Sequence, residues 1–268
     1  ANFDTLFTTE ESIDALKQLI FELAVRGTLV PQDPADGNAA ELIESFDQQA
    51  VQPSLRKLVS KYFQKGRLTK NNGLHTIPSN WEWVNVAKLG HNWGQSEPEC
   101  EFTYIDVSSI DQRAGVVVEP NIIEAKNAPS RARKIVKRGT VIYSTVRPYL
   151  RNIAVVESDF DPLPIASTAF AIVHPFDGVD AQYVYRVFRS PFFVRYVESC
   201  QTGIAYPAIN DKQFFNAPFP LPPLAEQKRI VAKVDELMAL CDCLKARFAE
   251  AAEVQRQLSD TVTRRVVA

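Results

Sequence analysis

The stretch Tyr206–Leu237, YPAINDKQFFNAPFPLPPLAEQKRIVAKVDEL, decides the fold. Prolines at positions 218, 220, 222 and 223 run straight into an uninterrupted helical pattern. Proline suits the first turn of a helix and not its interior, because it lacks the N–H that interior turns use. A helix is therefore predicted to start near Pro223. Beyond it, apolar side chains fall at Ile230, Val234, Leu237, Cys241, Leu244, Phe248 and Ala251, then Leu258 and Val262, with Gln255 filling one gap. Alternating steps of four and three are the seam of a coiled coil. No Gly or Pro follows Pro223, so at about 1.5 Å per residue the rod is roughly 65 Å long. A rod of that length needs a partner helix, and its use is to hold two things apart.

Upstream, Ser12–Arg26 reads as an amphipathic helix with Ile13, Leu16, Ile20 and Leu23 on one stripe and Gly27 in the C-cap place. Its heptad phase matches that of the C-terminal helix, so the two are expected to pack together, antiparallel if within one chain. After the turn-rich LVPQDPADG come two shorter helical patterns, Ala39–Gln49 and Ser54–Gln64. Lys61, Lys65, Arg67 and Lys70 make the end of this region basic, and KNNGLHTIPSN is a linker. From Trp81 the pattern changes. FTYIDVSSI, AGVVVE, GTVIYSTV, NIAVVE and TAFAIVHP read as strands, while Asp180–Ser199 reads as helix that Pro191 divides. The expected fold class is α+β, a strand-rich mixed domain plus long antiparallel coiled-coil helices. The expected boundaries are 1–76 for the N-terminal helical region and linker, 77–219 for the strand-rich domain, and 220–268 for the long helix.

Composition sets the outer limits. An apolar share of 46% in 268 residues supports a real core. No run of about eighteen apolar residues occurs, so no membrane-spanning helix is expected. The acidic opening ANFDTLFTTEES lacks the basic-then-apolar order of a secretory signal, and a cytoplasmic location is the default expectation. Cys100, Cys200, Cys241 and Cys243 read as free thiols. Cys241 and Cys243 point away from each other on a helix and cannot clamp a metal alone. His75, His91 and His174 are scattered along the chain.

The net charge of −2 hides an uneven distribution. Between Ala125 and Val156 there is no Asp or Glu, while Lys126, Arg131, Arg133, Lys134, Lys137, Arg138, Arg147 and Arg151 all fall there. A local positive face on a near-neutral protein suits nucleic-acid binding at a defined place; an ordinary solvated face is the competing explanation.

Enzyme signatures are missing. No GxGxxG, GxxxxGK, nucleophile elbow or HExxH occurs, and LPPL lacks the amide and aromatic of an adenine-methyltransferase loop. The nearest nuclease-like fragment is Asp111 with Glu124 and Lys126, a triplet common by chance. No catalytic residue and no metal site is assigned.

Three segments resemble one family. LPPLAEQKRIVAKVDELMALCDCL, Leu221–Leu244, resembles the conserved region of the specificity subunit of type I restriction-modification systems. SIDALKQLIFELAVRGTLVPQDP, Ser12–Pro34, is similar to the family's other conserved helical region, and IPSNWEWV, Ile77–Val84, to the opening of its target recognition domain. The resemblance implies a non-catalytic subunit that binds double-stranded DNA sequence-specifically and needs no cofactor of its own. It further implies docking onto methyltransferase subunits, which bring S-adenosylmethionine, and through them onto a restriction subunit, which binds ATP and Mg. Members of the family usually carry two recognition domains; this sequence carries one, either as a natural half-length subunit or as a truncated form. A homodimer is then expected through Ile13, Leu16, Ile20 and Leu23 with Ile230, Val234, Leu237, Cys241, Leu244, Phe248, Leu258 and Val262, giving a palindromic target with a non-specific spacer. The alternative is a DNA-modifying enzyme, nuclease or methyltransferase, acting with its own residues.

DNA recognition needs phosphate anchors and readers of base edges. The first candidate is the loop after GTVIYS, with Ser144, Thr145, Arg147, Tyr149, Arg151 and Asn152, stiffened by Pro148; similar STVRPYLRN-like runs belong to the family's recognition domain. Its competing reading is structural, with Tyr149 and Leu150 packed inward. The second is SRARK, with Arg131, Arg133 and Lys134 as phosphate anchors or as a plain surface strand. The third is CQTGIAYPAIN, with Gln201, Thr202 and Tyr206 around Gly203, as DNA contact or as a joint. Gln95 and Ser96 are weaker. Trp81, Trp83 and Trp93 are expected in the core, since duplex DNA offers no exposed base face.

Overall fold

The structure is a computed structural model that describes residues 10–63, 74–203 and 206–267; of residues 252 and 258–267 the backbone alone is described. Lys65, Arg67 and Lys70 lie outside the described residues.

Helix α1, Glu10–Arg26, carries Glu10 and Glu11 in its first turn and Arg26 in its last, complementing the helix dipole. It ends at Gly27, whose φ of +70° is the left-handed conformation a C-cap demands. Helix α2, Ala39–Ala50, is capped by the Asn38 side chain, which accepts from the Ala40 N–H. The expected helix Ser54–Gln64 is not formed over its described part. Residues 54–63 make isolated turns. The Leu58 carbonyl accepts from the Asn92 N–H (3.1 Å) and Val59 bridges His91, so backbone groups that a helix would use are engaged by a strand.

Among the described residues twelve strands follow in three sheets. β1 (Glu82–Asn85) pairs antiparallel with β12 (Pro218–Leu221), a proline-rich strand that the sequence reading took only as a lead-in to the helix. β12 has one strand partner, which leaves its proline nitrogens without a ladder duty. A four-stranded sheet has the order β6 (Asn121–Ile123), β3 (Phe102–Ile105), β10 (Pro164–Ser167), β7 (Ala132–Ile135). A six-stranded sheet has the order β2 (Gly90–His91), β11 (Phe170–Pro175), β8 (Val141–Ser144), β9 (Ile153–Val155), β5 (Val116–Val117), β4 (Ile110–Asp111). Helices α3 (Ala181–Arg189) and α4 (Pro191–Cys200) meet at Ser190, which closes the first and caps the second through the Phe193 N–H, with Pro191 at the first position of α4. A short α5, Asp211–Phe215, precedes β12.

Three buried apolar clusters are formed among the described residues, and the largest joins the helices to one face of the six-stranded sheet. Ile13, Phe21 and Ala24 of α1, Trp81 and Val84 at the opening of the strand-rich part, Phe188, Phe193 and Phe214, and Ile230 and Val234 of the last helix are all buried in it. Trp83 is buried too. The histidines separated in sequence are not all separated in space: the rings of His91 and His174 lie 5.2 Å apart, each 4.7 Å from Trp93. Burial, with His91 and Lys137 nearby, lowers the His174 pKa to about 4.

The last helix, α6, spans Leu224–Val267, 44 residues. It runs antiparallel to α1, tied by Lys17–Asp242 (2.5 Å) and Lys245–Asp14 (3.1 Å). Of the expected seam, Ile13, Ile20, Ile230, Val234 and Cys241 are buried, and Leu16, Leu23, Leu237 and Phe248 are half-buried. Leu244 is 39% exposed, because the α1 contact does not cover that face. The side chains of Leu258 and Val262 lie outside the described residues.

Candidate DNA-recognition surface

The loop 145–152 stands at one end of the six-stranded sheet. β8 ends at Ser144, opposite Phe170 of β11, and Tyr143 is level with Ile153, where β9 begins. The strand ends hold the loop tightly. The Ser144 hydroxyl donates to the Val146 carbonyl (2.8 Å), and Thr145 donates to the Ala169 carbonyl through both its N–H and its hydroxyl (2.8 Å each). The Asn152 carbonyl accepts from the Ser144 N–H (2.9 Å). Ser144, Thr145 and Asn152 are thus buried, and as expected DNA contacts they are corrected: they anchor the loop from within.

What the loop presents outward is different. Arg147, Tyr149 and Leu150 are exposed and Arg151 is half-buried. Pro148–Leu150 form one 3₁₀ turn with Arg147 (φ 46°) and Arg151 (φ 53°) in the left-handed region on either side. An L-residue there is strained by about 1–2 kcal/mol, and such strain persists only where surrounding bonds fix the backbone.

The segment 200–210 joins this loop. The Arg147 N–H donates to the Pro207 carbonyl (2.8 Å) and the Ile209 N–H to the Thr145 carbonyl (2.9 Å). Thr202 and Ala208 exchange a pair of backbone bonds at 2.9 Å around Gly203, whose φ is +90°. The Arg147 guanidinium lies over the Tyr206 ring, 5.1 Å from its centroid. Tyr206 is 72% exposed and Thr202 is exposed, while Gln201 is half-buried with its side-chain oxygen unpartnered among the described residues. Gln201, Thr202 and Tyr206 therefore belong to one surface with Arg147 and Arg151, and the segment is both joint and surface.

SRARK divides. The Arg131 carbonyl accepts from the Thr168 N–H (2.8 Å), beside Ala169, so the exposed Arg131 adjoins the same end. Arg133 pairs with Glu97 (3.1 Å) and donates to the Ala132 carbonyl (2.9 Å). Lys134 turns inward and donates to the Phe170 carbonyl (2.5 Å), and burial lowers its pKa; it is corrected from phosphate anchor to internal tie. Lys137 sits over the Trp93 ring (3.9 Å). Gln95 and Ser96 pair with the backbone of β7. In the nuclease-like triplet, Asp111 caps a turn and Lys126 pairs with Glu124 (2.7 Å). Among the described residues no group of three or more His, Cys, Asp or Glu could hold a metal ion, and no helix is long and apolar enough to cross a membrane.

The sequence reading missed the joint that fixes this surface to the long helix. Glu226, in the first turn of α6, accepts from Trp81 Nε1 (2.9 Å) and Gln32 Nε2 (2.5 Å). The Gln227 side-chain oxygen accepts from the Asp180 N–H (2.8 Å), and its amide donates to the Pro222 carbonyl (2.9 Å). Arg229 forks onto both Asp36 oxygens at 2.7 and 2.5 Å. Three polar residues just after a Pro-Pro helix start were the available signal.

A mixed α+β head is thus clamped through this joint to a long helix and shows arginines and a tyrosine on its surface. By similarity the chain is a relative of the specificity subunits of type I restriction enzymes. It is 30% identical to the EcoEI specificity subunit of Escherichia coli over 97% of this chain and 46% of that protein, and 28% identical to the EcoAI subunit over 93% and 44%. Among solved structures it is similar to the HsdS subunit from Thermoanaerobacter tengcongensis, with 36% identity, a TM-score of 0.63, and coverage of 70% of this chain and 50% of that one. A structure described by complex assembly and conformational transition of the type I R-M system gives 35% identity, a TM-score of 0.65, and coverage of 72% and 51%. The chain thus spans about half the length of the relatives it matches. No protein-family model matches it.

Proposed function

We propose that the chain is a sequence-specific DNA-binding subunit of a type I restriction-modification complex and reads one half of a bipartite target. The observation that carries this is the joined surface of Arg131, Arg147, Tyr149, Arg151, Thr202 and Tyr206, where two arginines are fixed in strained backbone. A backbone already fixed in the binding-competent turn lowers the ordering cost when its arginines meet phosphate or guanine. In this reading the chain performs no covalent chemistry, binds no cofactor, and docks onto methyltransferase subunits carrying S-adenosylmethionine and a restriction subunit carrying ATP and Mg. The strand-rich part, 77–219, is the reader, and the helices of 1–76 and 220–268 are the scaffold and the self-association surface.

The test is duplex binding as a function of salt. Arg147→Ala and Arg151→Ala should each weaken binding and lower the salt slope by roughly one unit if they hold phosphates. Mapping methylated adenines in cells that carry the chain with its methyltransferase subunits should return a bipartite sequence. Turnover of DNA by the chain alone with Mg or S-adenosylmethionine would overturn the reading.

A further inference from the structure

The six-stranded sheet brings a second loop to the recognition end. β5 runs parallel to β9, with Val116 level with Val155 and the Val155 N–H bonded to the Gly115 carbonyl (3.1 Å). β9 starts directly after Asn152, so the residues before Val116 emerge at the same end as the 145–152 loop. They form the turn Gln112–Gly115, which links β4 to β5 through Asp111 opposite Val116. The strand order β8-β9-β5-β4 and a spacing of about 4.8 Å put this turn roughly 10 Å across the sheet from the arginine loop. That is within the ~12 Å width of a major groove.

The turn is fixed from below. The Asp111 carboxylate accepts from the N–H groups of Arg113 (2.8 Å) and Ala114 (3.0 Å), and the Gly115 N–H donates to the Asp111 carbonyl (2.7 Å). Gly115 has φ +72°, and a Cβ there would collide with the Tyr185 ring. Arg189 donates to the Arg113 carbonyl (3.1 Å) and to the Tyr185 hydroxyl. Asp111 and Arg189 thus hold the turn's backbone. Gln112 and Arg113 are exposed, and among the described residues no ion pair or side-chain hydrogen bond engages either. Arg and Gln are the side chains that pair bidentately with guanine and adenine edges.

We infer that Gln112 and Arg113 form a further reading loop that contacts base edges of the same duplex as Arg147 and Arg151. The inference rests on the DNA-reading function above and adds specificity-determining residues to it. Asp111 and Arg189 act as positioning residues.

Selection of duplexes from a randomised pool on the purified full chain tests it, with Gln112→Ala, Arg113→Ala, Arg113→Lys and Arg147→Ala in parallel and melting temperatures as a folding control. The wild type is expected to enrich one motif. Arg113→Ala or Gln112→Ala should lose preference at a base position that Arg147→Ala leaves intact, with about 5- to 150-fold weaker binding to the wild-type motif, the range of one bidentate contact. Arg113→Lys, which keeps the charge without the fork, should lose the same position. If both alanine variants select the wild-type motif at wild-type affinity while Arg147→Ala does not, this loop is not a reader and the DNA function stands. An unchanged motif with uniformly weaker binding reduces the loop to a phosphate contact and overturns base reading. A wild type that enriches nothing overturns both.

Discussion

Arg147 and Arg151 hold a conformation that favours glycine, and this separates their roles in folding and binding. Replacing Arg151 by Gly removes the left-handed strain, partly offset by the greater freedom of an unfolded glycine. Stability should therefore stay level or rise by up to about 1 kcal/mol, while duplex affinity falls by the loss of one arginine contact, about fivefold or more. Arg151→Ala keeps the strain and should bind equally weakly without the gain. Thermal unfolding together with duplex titration checks the pair; a glycine variant that binds normally but is less stable would assign the side chain to the fold. The loop itself was legible in the sequence, since Pro148 and a cluster of Arg, Tyr and Thr mark a stiff polar turn. Which members face outward was not. Ser144, Thr145 and Asn152 carry the same donors and acceptors as surface readers, yet they fall at the strand ends and their bonds turn inward. Lys134 likewise looked like a phosphate anchor until the pairing of β7 with β10 set it against the Phe170 carbonyl.

At the scale of elements, the joint between α6 and the strand-rich part depends on a buried carboxylate. Burial raises the Glu226 pKa, opposed by its bonds from Trp81 and Gln32. A carboxyl group whose folded pKa lies above its unfolded one takes up protons more readily in the folded state. Its contribution to stability is therefore greatest at low pH and declines as pH rises from the unfolded pKa through the raised one. Glu226→Gln should flatten that decline, whereas Glu226→Ala leaves the Trp81 N–H unpartnered and should destabilise by about 2 kcal/mol at any pH. Urea midpoints at pH 5 and pH 8 decide. His174 has the opposite sign. Its folded pKa of about 4 lies below the model-peptide 6.5, so its contribution is complete above pH 6.5 and is lost as pH falls towards 4, amounting to about 2 kcal/mol after allowance for partial exposure. His174→Asn should reduce the loss of stability across that window, measured by denaturation between pH 7 and 4. The heptads of α1 and α6 were legible because an i, i+3, i+4 stripe survives any partner choice; Ile13, Ile20, Ile230, Val234 and Cys241 are buried as the spacing predicts. The helix expected from Ser54 was not, because its backbone bonds go to Asn92 and His91, and no local pattern foretells a strand partner more than thirty residues away.

For the whole molecule, the decisive feature is the length of α6 relative to the described part of α1. Glu10, the first described residue of α1, pairs with Lys245 at 3.4 Å. Residues 246–267 of α6 continue past that level, about 33 Å of helix. A helix draws most of its stability from packing, and apolar side chains are exposed on and just before this stretch. Leu240 is 54% exposed, Leu244 39% and Val254 50%, and Leu19 of α1 is 51% exposed. The ion pairs Lys17–Asp242 and Lys245–Asp14 run antiparallel; the same progression puts Leu19 level with Leu240, and Leu240 and Leu244, four residues apart, form an exposed apolar stripe on α6. Under the homodimer proposal a second copy covers this stripe. Leu240→Asp with Leu244→Asp should then convert a dimer in sedimentation equilibrium to a monomer, since two buried charges at an apolar seam cost several kcal/mol of association. The melting temperature of the protomer should change little, because neither side chain is buried within the chain. Half-site binding should persist, while the preference for an inverted repeat at fixed spacing disappears. A wild type that stays monomeric at micromolar concentration, with duplex and methyltransferase subunits present, would remove self-association as the source of a two-fold target and leave the stripe to another helix.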